Sequence, residues 1–160
     1  MNNTTKSAVT LRRIELAVLG IGLLIALVAI GLGSQGTFRA NMAWTHGTER
    51  LMAFLLTLVS LLIVGAVVVA PYALLAFLGK RIASDRKANS YQIVGLVISC
   101  LVTVASAYLY VDALYTVSHD RSSTAGLVFV AVPVFLCVAG GAAYGVLVLL
   151  HSRAQRRNGA

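Results

Sequence analysis

Four long apolar runs constrain this chain more than any other feature: Ile14–Gly33, Leu51–Leu78, Tyr91–Val111 and Thr124–Leu150. Each supplies the roughly 20 residues that cross about 30 Å of hydrocarbon at about 1.5 Å per helical residue. Backbone polar groups in lipid must be satisfied within their own segment, so such runs read as helices. The chain is 59% hydrophobic and only 11% charged, where a soluble domain carries roughly 25% charge. The expectation is an all-α integral membrane protein, an antiparallel four-transmembrane-helix bundle forming a single membrane domain over residues 1–160. The second and fourth runs exceed the minimum and are expected to tilt or to extend past the membrane.

Net charge is +8, and its distribution follows the runs. Lys6, Arg12 and Arg13 precede the first run. Lys80, Arg81, Arg86 and Lys87 lie in the basic loop 79–90, and Arg153, Arg156 and Arg157 follow the fourth run. Ten of the 13 basic residues therefore fall on one side. Arg39, Arg50 and Arg121 fall on the other, with Glu49, Asp112 and Asp120. The positive-inside rule then places both termini and the basic loop in the cytoplasm of a cell whose inner membrane holds the protein. These cations read as solvated anchors rather than a nucleic-acid surface. Recognition of anionic lipid by the tail around Arg153–Arg157 is the sharper alternative. The basic lead before Ile14 resembles a secretory signal, but the apolar run is longer than a usual signal core and is expected to remain as the first span.

The third run carries a polar stripe. At about 100° per residue, Gln92, Gly95, Ser99, Thr103, Ser106 and Tyr110 fall within about an 80° arc. Hydroxyls in hydrocarbon need partners, so this face is expected to point at other helices or water, not at lipid. Thr57 and Ser60 lie at depths matching Ser106 and Thr103 when counted from the outer ends, Leu51 and Asp112. Helices 2 and 3, joined by a short basic turn, are therefore expected to be antiparallel neighbours facing each other through these hydroxyls. The competing reading is that each hydroxyl bonds a carbonyl of its own helix.

The first run bears a ridge of small residues, Gly22, Ala26, Ala29 and Gly33, suited to close approach of a neighbouring backbone. Ser34–Arg50 is expected to be the longest external connection, with Phe38 and Trp44 as interfacial anchors. Pro71 is expected to kink the second helix. In the fourth, Gly141 and Gly145 form a GxxxG packing surface. Interhelical hydrogen bonds average about 0.6 kcal/mol, so alanine changes in the stripe should be mild, whereas Gly141→Leu should be severe. Pro71 and Pro133 fall at different depths, which argues against a duplicated helix pair. Cys100 and Cys137 both lie mid-run with no C-x-x-C spacing, so neither a disulfide framework nor a redox motif is expected.

The candidate chemistry is sparse. His46, Asp112, His119 and Asp120 form a weak outer cluster of the right ligand types for zinc, at no spacing typical of a metal motif. Asp120, or Ser122 and Ser123, capping the fourth helix explains part of it more simply. Glu15 and Asp112 stand at run edges, and the middle of every run lacks ionisable residues, which coupled transporters and redox membrane proteins need. Phosphate-cradling glycine motifs are missing too. The expectation is a non-catalytic accessory or interaction protein with no cofactor and no resident metal. Its surroundings would be the lipid bilayer and another membrane protein or a homo-oligomer, with Ser99, Thr103, Ser106, Thr57, Ser60, Gly141 and Gly145 carrying recognition. In topology and size such a chain resembles the immunity proteins that guard bacterial inner membranes against pore-forming toxins. The alternative is a small oligomeric channel or transporter with the third-helix stripe lining its path.

Overall fold

The computed structural model describes residues 3–43, 47–83, 89–119 and 127–158, and every long element in it is a helix. They are α1 (Asn3–Ala43), α2 (Thr48–Ala83), α3 (Asn89–His119) and α4 (Val128–Asn158). All four are long and apolar enough to cross a membrane. Helices α1, α2 and α3 continue past their apolar runs at both ends, and α4 past the C-terminal end of its run. Helix α1 starts well before Ile14 and takes in much of Ser34–Arg50, the stretch expected to be a loop. Trp44, and the side chain of Phe38, lie outside the described residues.

The turn before α2 places Gly47 at φ 62°, a left-handed conformation that glycine adopts without a Cβ penalty. Its carbonyl accepts a hydrogen bond from the Arg50 N–H at 3.2 Å. Glu49 in the first turn of α2 and Lys80 and Arg81 in its last match the helix dipole. Pro71 and Pro133 are both fully buried, and α2 and α4 run through them without interruption. Neighbouring helices can support a proline in an apolar span in this way.

The core collects Leu19, Ala26 and Ile30 from α1, Val68, Tyr72 and Leu75 from α2, Tyr110 and Ala113 from α3, and Leu136, Tyr144 and Leu147 from α4. Large apolar side chains such as Leu62, Val104 and Val138 remain about two-thirds exposed on the outside. So much exposed apolar surface suits contact with lipid rather than water.

Helix pairing differs from the sequence expectation. Helix α1 packs mainly on α3 and α2 on α4, whereas α2 and α3 touch least of the consecutive pairs. The reason lies in α1. A Cβ on Gly22 would meet Tyr72 of α2 at 2.8 Å and Thr103 of α3 at 3.0 Å. The small ridge thus lets α1 sit between the two helices expected to be neighbours. Along the same ridge Ala26 and Ala29 are buried, and Gly33 lies against the Phe129 ring of α4.

Candidate functional site

Arg12 and Glu15 stand three residues apart on α1, a spacing that puts them on one helical face. That face turns inward. The Arg12 Nη1 donates to Glu15 Oε2 at 2.6 Å, and its Nη2 donates to the Ala76 carbonyl of α2 at 2.5 Å. Ser99 of α3 donates to Glu15 Oε1 at 3.4 Å. The Tyr144 hydroxyl of α4 donates to the same oxygen. One carboxylate is thereby held by side chains of three helices and tied through Arg12 to the fourth.

Two glycines make this convergence possible. A Cβ at Gly79 would run into the Arg12 guanidinium and lie 2.6 Å from Glu15 Oε1. One at Gly95 would lie 2.5 Å from the Tyr144 hydroxyl. Both contacts are too close for any other residue unless the polar groups move.

Glu15 is only 6% exposed. It stands at the edge of the Ile14–Gly33 run, yet side chains and backbone of the other three helices enclose it. The candidate membrane-crossing segment of α1 starts at Ser7, about 12 Å along the helix from Glu15. Burial of a carboxylate costs several kcal/mol unless it is paired and hydrogen-bonded. Here the cation 2.6 Å away and two hydroxyl donors meet that need. Among the described residues Glu15 is the one buried carboxylate, since Glu49 and Asp112 are exposed.

The α3 stripe extends from this site in both directions. Gln92, Gly95, Ser99, Ser106 and Tyr110 are buried and Thr103 is half-buried. Thr103 Oγ1 donates to the Val18 carbonyl of α1 at 3.4 Å. The hydroxyls of Ser106 and Tyr72 hydrogen-bond to each other. Tyr110 stacks on Phe129 with ring centroids 6.3 Å apart. The Tyr110 hydroxyl and both amide atoms of Gln92 are buried without a protein hydrogen-bond partner.

Ser99, Thr103 and Ser106 thus come together in the interior, whereas Thr57 and Ser60 do not join them. Thr57 donates to the Ala53 carbonyl and Ser60 to the Leu56 carbonyl, each at 2.8 Å on its own helix. The expected pairing fails because Ser106 meets α2 at Tyr72. Thr57 is 15 residues away (72 − 57), about 22 Å along the helix. Depth counted from the outer ends misplaced α2, whose first turns overhang the packed region.

In α4, Gly140 approaches Val102 and Leu75, and Gly141 approaches Leu74, where a Cβ would lie 3.0 Å from the leucine methyl. A Cβ at Gly145 would meet nothing within 4 Å. The GxxxG pair therefore does not act as one surface within this chain. Cys100 and Cys137 are half-buried free thiols.

Of the weak outer cluster, His46 and Asp120 lie outside the described residues, as does the side chain of His119. Asp112 is exposed, and its carbonyl accepts from Thr116. Among the described residues no three His, Cys, Asp or Glu side chains converge to hold a metal.

Arg12, Glu15, Tyr72, Tyr144 and Gly79 escaped the sequence reading. A signal for the first two existed: R-x-x-E at facing spacing, with the Glu between Ile14 and Leu16. A carboxylate flanked by apolar residues at the mouth of a span reads more simply as solvated, and the partners that bury it lie on three other helices. The sequence matches no family model, and no curated protein and no solved structure is significantly similar to it.

Proposed function

We propose that this protein is a non-catalytic accessory component of a bacterial cytoplasmic membrane. It would be an antiparallel four-helix bundle with both termini in the cytoplasm, working by association with another integral membrane protein. The orientation rests on the ten basic residues gathered at one side. The association rests on one observation above others, the bareness of the first half of α2. From Leu51 to Ile63 no residue is buried. Only 6% of the apolar span of α2 is buried by protein, against 28% to 33% in the other three.

A helix in a bundle normally turns one face to lipid and buries the other. Here several successive turns bury neither, while Arg12, Glu15, Ser99 and Tyr144, and Tyr72 with Ser106, are engaged with one another in the interior. Recognition would therefore run through the apolar Leu51–Ile63 surface rather than through Ser99, Thr103 and Ser106. The channel alternative, as a water-filled pore through one chain, gains nothing from an interior where Ser99, Ser106 and Tyr110 are wholly enclosed.

The test is a photo-crosslinking residue in place of Leu58 or Leu62, activated in native membranes. A stoichiometric crosslink to one membrane protein, reduced when the residue is moved to the packed position Leu75, is the expected result. Crosslinks to lipid alone, with a purified particle of single-chain mass, would defeat the proposal.

A further inference from the structure

From Gln92 to Tyr110 the stripe of α3 covers 18 residues (110 − 92), about 27 Å of helix, close to the roughly 30 Å of a hydrocarbon core. Other helices add polar groups along that whole length. Arg12, Glu15 and Tyr144 gather at Ser99. The Val18 carbonyl meets Thr103, and Tyr72 meets Ser106. The column ends in the unpartnered amide of Gln92 on one side and the unpartnered hydroxyl of Tyr110 on the other. Packing alone does not call for buried polar atoms without partners at both ends of a polar line. Such groups are sites for ordered water.

The geometry points to a proton path along this column, with the Glu15 carboxylate as its proton-binding group. It is independent of any partner at α2. A proton needs no pore, only successive groups that each accept on one side and donate on the other. Ser, Thr and Tyr hydroxyls do both. Ser99 and Thr103 are one turn apart, about 6 Å along the axis, a gap that one bridging water closes.

The balance is simple. A proton delivered by water at Gln92 forms an O–H bond on Glu15. The carboxyl then releases a proton to the Ser99 oxygen as Ser99 gives up its own toward Thr103. The same exchange through Ser106, Tyr72 and Tyr110 ends with one proton leaving, and no electron changes hands. The ionisable and polar groups around Glu15 are Arg12 of its own helix, Ser99 of α3, Tyr144 of α4, and from α2 the Ala76 carbonyl beside Gly79. Arg12 repels metal cations and Glu15 repels anions. A proton differs from both in that it forms a covalent O–H bond with the carboxylate.

The full-length protein, reconstituted in phosphatidylethanolamine–phosphatidylglycerol vesicles with an internal pH dye, tests this under a valinomycin-clamped potassium potential. Wild type should acidify the lumen faster than protein-free vesicles. Glu15→Gln should lower that rate at least about tenfold, and Ser106→Ala and Tyr72→Phe should lower it too. Thr116→Ala, at the exposed end of α3, should not change it. Sodium flux should stay at the protein-free level. Wild-type rates equal to those of protein-free vesicles overturn the path. So does conduction by Glu15→Gln or Ser106→Ala at the wild-type rate. If Glu15→Gln proves misfolded by gel filtration, Ser106→Ala decides, since it leaves the ion pair intact.

Discussion

At the scale of single residues, stability centres on the Arg12–Glu15 pair. Removing one partner leaves the other charge buried, which typically costs about 3–5 kcal/mol. Glu15→Leu and Arg12→Met should each lower stability by that order. The double substitution should recover most of the loss, because neither charge then remains to be solvated. Unfolding in mixed detergent micelles measures this cycle, and strictly additive losses would contradict it. The stripe residue Ser99 was legible in sequence, because a hydroxyl in an apolar run needs a partner somewhere. Its acceptor was not legible. Glu15 Oε1 lies 84 positions away in the chain, and nothing in the local pattern of either residue names the other.

At the scale of helices, small residues decide which surfaces meet. Without a hydrophobic drive inside lipid, helices associate through close packing and polar contacts. Gly22, Gly79, Gly95, Gly140 and Gly141 all sit at such approaches, while Gly145 faces open space. Gly141→Leu should therefore destabilise the protein by about 1–3 kcal/mol through overpacking against Leu74, and Gly145→Leu should be near neutral. Thermal inactivation of the two purified variants distinguishes them. An equal penalty at Gly145 would mean that a second chain packs there. The sequence marked both glycines alike, since GxxxG spacing shows that two small residues share a face but not what stands opposite. Thr57 and Ser60 show the same limit. Their hydroxyls suited either an interhelical bond or a carbonyl of their own helix, and in α2 both take the second option.

At the scale of the whole molecule, the pairing of α1 with α3 and of α2 with α4 sets everything else. Cysteines introduced as Gly22→Cys and Thr103→Cys, in a background lacking Cys100 and Cys137, should oxidise to a disulfide, because a Gly22 Cβ lies 3.0 Å from the Thr103 side chain. The pair Thr57→Cys and Thr103→Cys should not. Mobility on non-reducing gels reads both, and the opposite pattern would restore α2 and α3 as facing neighbours.

The sequence by itself determined the helical class, the four apolar spans and the α3 face that seeks shelter from lipid. These follow from local chemistry, as hydrocarbon demands internally bonded backbone and a 3.6-residue repeat sorts side chains by face. Only the tertiary structure decided that α1 stands between α2 and α3, that Tyr72 rather than Thr57 meets Ser106, and that Glu15 is enclosed by four helices. Those outcomes depend on which small residues permit close approach between distant segments. They also depend on how far each helix continues beyond its apolar core. Spacing along one helix carries neither quantity.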